Sequence, residues 1–102
     1  MNANQMLAIS LSQAYQFAED ARTAEVELRQ ALGQLARGGR PTDILPSQVA
    51  LKVSEAQAKR NASALMCELI GATKEQIDCA LMGDKGEVGE LYRALWAGDA
   101  RH

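Results

Sequence analysis

Few side chains in this 102-residue sequence are of the kinds that perform chemistry, and their placement limits what they could do. Histidine occurs once, at His102, where no flanking scaffold orients an imidazole against a nucleophile. The thiols of Cys67 and Cys79 stand twelve positions apart without a well-placed imidazole, so a tetrahedral zinc site in one chain lacks ligands. Glu19-Asp20 and Glu87/Glu90 could be imagined as acid and base, but on amphipathic helices such pairs form a solvated face. Neither GxGxxG nor GxxxxGK occurs, so no glycine-rich loop offers its amides to a phosphate. These residues predict a protein that is not an enzyme and that holds no cofactor and no metal.

What remains is contact chemistry, and the charges are distributed for it. Residues 1–36 carry a net −2, residues 37–60 a net +3 and residues 61–102 a net −3. The basic waist consists of Arg37, Arg40, Lys52, Lys59 and Arg60. It begins in "LARGGRPTDILPSQ", residues 35–48, where a glycine pair and two prolines explain themselves as the bend between two helices. That bend does not explain Arg40, nor the continuation of positive charge through Lys59 and Arg60. The overall charge of −2 gives the whole molecule no electrostatic attraction to nucleic acid or to an anionic membrane.

The elements that must position these residues are helices. Leu7, Leu11, Ala14, Ala18, Ala21, Glu25, Leu28, Leu32 and Leu35 alternate by four and three, the spacing of a coiled-coil seam broken only by Glu25. This predicts a helix over 3–36, capped by Asn2 with Gln5 and ended at Gly38. A loop over 37–46 leads into a second helix over 47–70, stopped by Gly71. That helix carries two apolar stripes on opposite sides. One comprises Leu51, Ala58, Ala62, Leu65 and Leu69, and the other Val49, Val53, Ala56, Cys67 and Ile70. Thr73 with Gln76 and Asp84 with Glu87 are capping boxes for short helices over 73–82 and 86–97. No segment alternates with period two, so no strand is expected.

The predicted architecture is therefore all-α: one domain, a long antiparallel helical hairpin with two short C-terminal helices, assembled into an oligomeric bundle. The first 18 residues carry no charged side chain, and their apolar groups point around more than one face. Either the Trp96 helix or another subunit must cover them. The expected partner-binding residues are Met6, Leu7, Ile9, Leu11 and Tyr15 on the first helix and Val49 and Val53 on the second. Arg37, Arg40, Lys59 and Arg60 would set orientation and on-rate more than affinity.

The function this implies is a non-enzymatic protein–protein interaction module, an adaptor, chaperone-like partner or small inhibitor, working as a homo-oligomer. A nucleic-acid-associated regulator using a basic patch across a dimer is the alternative. The last two helices have helix-turn-helix lengths, but Glu87 and Glu90 in the would-be reading helix oppose phosphate. A ligand-sequestering oligomer with pockets between subunits, lined by Tyr15, Arg40 and Arg60, is a third reading. No run approaches the roughly 20 apolar residues that span a bilayer, and the first residues lack the basic region of a signal peptide. Both predict a cytoplasmic protein with buried, reduced thiols.

Overall fold

The computed structural model describes residues 1–38 and 46–98, so Arg40 and most of the expected 37–46 loop lie outside the described residues. Four helices, α1 (Ala3–Ala36), α2 (Pro46–Leu69), α3 (Lys74–Met82) and α4 (Lys85–Trp96), make the fold all-α. Among the described residues there is no strand.

Each start and stop has a local cause. Asn2 Oδ1 accepts from the Gln5 backbone N–H at 2.8 Å while Gln5 Oε1 accepts from the Asn2 N–H, so two orphan donors of α1 are satisfied reciprocally. Thr73 with Gln76 and Asp84 with Glu87 repeat the device at α3 and α4. Pro46 opens α2 as its first residue, where its fixed φ suits the helix and its missing N–H costs nothing. Gly71 has φ +102°, which ends α2 at Leu69 and frees Ala72 N–H to bond the Cys67 carbonyl at 2.9 Å.

α1 is the spine against which the other helices pack. Its core-facing residues are Ala8, Leu11, Ala14, Ala18, Ala21 and Ala24, all buried. The run of alanines lets neighbouring backbones approach closely, which a leucine seam would prevent. α2 lies along α1 in the opposite direction: Gln57 donates to Glu25 at 2.7 Å, Lys52 to Glu27 at 3.3 Å, and Cys67 packs in one cluster with Leu11 and Ala14. Glu25, the polar break in the seam, thus has a partner across the helix pair.

The N-terminal half of α1 is covered from within the chain. α3 and α4 both pack on it, with Ala80 and Val88 buried and Ile77, Leu81, Leu91 and Leu95 half-buried behind them. Arg22 of α1 donates to the Leu81 carbonyl at 2.7 Å, placing a cation at the negative end of α3, and also pairs with Glu19. α4 returns along α1 until Gly98 reaches the Asn2 side chain. Among the described residues α2 and α4 do not pack against each other.

The result is a rod of 59 × 23 × 20 Å. Its radius of gyration, 17.1 Å, compares with ~13 Å for a compact chain of this length. Its accessible surface is 6991 Å², against ~5,600 Å² expected for a compact 11.0 kDa monomer. A rod leaves more of its helices uncovered than a globule would.

Candidate functional site

Exposed apolar side chains occur on α1 (Met6, Val26, Leu32, Leu35), at the end of α3 (Met82) and on α4 (Trp96), and a continuous line of them runs along the side of α2 that faces away from α1. Val49, Val53 and Cys67 occupy the inward side and are buried. The opposite stripe is open: Leu51 is 61% exposed, Leu65 55% and Leu69 73%, with Ala58 and Ala62 exposed between them and Met66 alongside. With Glu55 included, Leu51, Glu55, Ala58, Ala62, Leu65 and Leu69 follow four-three spacing, so they stay on one line along a slightly supercoiled helix. Glu55 is the one charge within that line. Lys52 and Lys59 flank its N-terminal half on one edge, and Glu68 flanks its far end on the other. No other helix of the described chain covers this face.

The residues expected from the sequence to bind a partner divide accordingly. Leu11, Val49 and Val53 are buried and cannot offer surface to anything outside the chain, because the apolar stripe that contains the two valines is the one turned onto α1. Leu7, Ile9 and Tyr15 are half-buried, the α4 contact having taken much of the surface that the uncharged N-terminus would otherwise leave in water. Met6 remains exposed. The outward surface of α2 is thus the stripe of Leu51, Leu65 and Leu69, in place of Val49 and Val53. The periodicity showed both stripes, but choosing the inward one depended on which residues of α1 it would meet.

Among the described residues the bases of the waist, Arg37, Lys52, Lys59 and Arg60, do not form one surface. Arg37 caps α1 and is exposed. Lys59 lies thirteen residues into α2, ~20 Å along the helix from Pro46. It opens onto a groove of about 450 Å³ between α1 and α2 whose walls also carry Asp20, Glu27 and Glu55. Lys52 in the same groove pairs with Glu27. Half-buried Arg60 donates to Asn61 at 3.4 Å, and Arg40 is outside the described residues. Acidic groups thus interleave with the bases, whereas a phosphate backbone is held by unopposed ones. α4 lies against α1 with Val88 buried between them, and Lys85 and Arg93 line a cleft with α1. Tyr15 lies in that cleft and Arg60 does not.

The thiols are poor nucleophiles. Burial raises the Cys67 pKa above its ordinary value near 9.0 despite a backbone hydrogen bond that acts the other way. Burial first, then the nearby charges of Glu87 and Asp84, raises that of Cys79. Both stay protonated at neutral pH. Among the described residues no group of three or more His, Cys, Asp or Glu could hold a metal ion, and no helix is long and apolar enough to cross a membrane. Compared with protein-family models, with curated proteins and with solved structures, the chain finds no match in any of the three.

Proposed function

We propose that this protein is a non-enzymatic interaction module that works as a homo-oligomer and uses the outer face of α2 as its contact surface. An adaptor, a chaperone-like partner or a small inhibitor would each act by occupying another protein's surface in this way. The observation that carries the reading is the exposure of Leu51, Leu65 and Leu69 on one line of a well-formed helix. Such a surface is rarely left in water, because an apolar face of this extent is stabilised by ~25 cal/mol for each Å² removed from it. A second copy is the first occupant to test. Leucines at both ends of the stripe and alanines at its centre allow two α2 helices to pack closely in the middle while the larger side chains interlock outside. The bases would steer encounter with an acidic surface more than they would hold it.

Leu51, Leu65, Met66 and Leu69, 55–73% exposed, give on the order of 4–6 kcal/mol of apolar burial per chain. Loss of translational and rotational freedom offsets much of that, so the self-association is weak and concentration-dependent. Sedimentation equilibrium across a dilution series tests it. The mass should rise above one chain with concentration, and Leu65→Glu together with Leu69→Glu should hold it at one chain without loss of helicity. A wild-type protein that stays at single-chain mass throughout overturns self-association.

A further inference from the structure

We infer that the cleft between α1 and α4 is a binding site, complete within one chain, for a small acid with a flat apolar body, such as an aryl carboxylate or aryl phosphate. The cleft is an open groove of about 500 Å³, inside the ~300–1,000 Å³ range of small-molecule pockets. It does not touch α2, so the inference stands independently of the contact surface proposed above.

Its charge has one sign. Lys85 and Arg93 line it, and no carboxylate does: Asp84, which caps α4, and Glu87 and Glu90 within it all fall outside the lining. Neither cation has an ion-pair partner among the described residues. Lys85 and Arg93 stand two helical turns apart, ~12 Å, so the pair brackets an object of small-molecule length. Ser12 and Gln13 of α1 add uncharged donors and acceptors without cancelling the positive charge.

The rest of its lining is largely apolar and aromatic: Val88, Gly89 and Tyr92 of α4 and Tyr15 of α1, beside Gln16. The Tyr92 ring is held in one orientation by stacking on Trp96, with centroids 5.6 Å apart and planes 8° from parallel. Gly89 is the informative residue. It sits mid-helix, where glycine is disfavoured, yet a β-carbon there would meet only Arg93 Nη1, at an ordinary 3.6 Å. Internal packing therefore does not demand glycine. A larger side chain would instead fill the cleft and displace the Arg93 guanidinium that lies over it, so glycine keeps the space open and the cation in it.

The test uses the full chain, 15N-labelled, titrated with 2-naphthylacetate, 2-naphthyl phosphate and the neutral 2-naphthylacetamide while the Gly89 and Tyr92 amide signals are followed. At least one acid should move them saturably, and the tighter of the two identifies the headgroup. The neutral amide should bind at least about tenfold more weakly, as expected for loss of a charge-assisted contact, and added salt should weaken only the acids. Arg93→Gln should lower acid affinity about tenfold and leave the amide unchanged. Gly89→Leu should abolish binding of all three, with helicity retained because leucine is the better helix former. Equal affinity for acid and amide, undiminished binding by Gly89→Leu, or the absence of any saturable shift would overturn the site.

Discussion

The same substitution made at two alanines separates the inner surface of the helix pair from the outer one. Ala18 is 1% exposed, between Ala14 and Ala21 at 0%, at the point where α1 is closed over by the rest of the chain. A leucine there adds three carbon atoms to a space that holds none. Relief requires off-rotamer packing or separation of the helices, which costs roughly 1–3 kcal/mol. For a chain of this length each kcal/mol shifts the midpoint by ~4–8 °C, so Ala18→Leu should lower Tm by on the order of 5–20 °C. Ala62 is exposed on the outward stripe, where the identical change meets solvent and should alter the stability of the single chain by less than about 0.5 kcal/mol. Urea and thermal unfolding followed by circular dichroism at 222 nm, at concentrations low enough to keep the protein monomeric, give both values. Indistinguishable effects at the two positions would refute the reasoning, because the close approach of α1 to its neighbours would then not depend on the alanine seam. At higher concentration Ala62→Leu should alter self-association while Ala18→Leu does not, apart from its effect on folding.

Further substitutions test individual parts of the account. Gly83→Ala should destabilise by about 1–3 kcal/mol in urea unfolding, since a β-carbon would clash with the Cys79 carbonyl oxygen and the end of α3 must shift to admit it. Gly89→Ala should instead stabilise by roughly 0.5–1 kcal/mol, the reverse of its effect on the cleft, because its β-carbon has room and alanine favours the helix. Thr73→Ala should cost ~0.5–2 kcal/mol by removing the side-chain oxygen that caps α3. Stability should fall as pH rises above about 9.0. There the unfolded thiols ionise while the folded ones, raised by burial, do not; below that value both states hold the proton and the contribution is complete. Cys67→Ala should flatten that alkaline slope in a pH series of urea midpoints, whatever it does to the stability at neutral pH.

Helix identity was legible in the sequence because its signals are local. The capping pairs Asn2/Gln5, Thr73/Gln76 and Asp84/Glu87 each act over three residues, and all three form reciprocal bonds. The seam follows from spacing alone, and Ala14, Ala18 and Ala21 are buried along it, but its far end is not: Leu32 and Leu35 are exposed, because the described part of α2 does not cover the last turns of α1. The contact surface was half legible. Two stripes on α2 could be counted, but their burial is a tertiary property: Val49 and Val53 turn inward because they meet the seam of α1, and Leu51, Leu65 and Leu69 are left outside as a consequence. Similarly, Leu11 looked like part of a greasy N-terminus in need of a partner, and α3 and α4 supply its cover. The cleft could not be read in advance, since Tyr15 and Arg93 are distant in sequence and meet only when α4 returns along α1. Gly89 was the available signal, a glycine amid the apolar template of Val88, Leu91, Tyr92 and Leu95.

The direct test of the outer face is to follow the leucine and valine methyl resonances of the full chain as its concentration is raised. Leu51, Leu65 and Leu69 should move with concentration, while Leu11, Val49 and Val53 stay fixed inside the fold. Methyl signals of the outer stripe that remain constant across the whole range, or shifts confined to the inward residues, would contradict the proposal that this protein acts through α2.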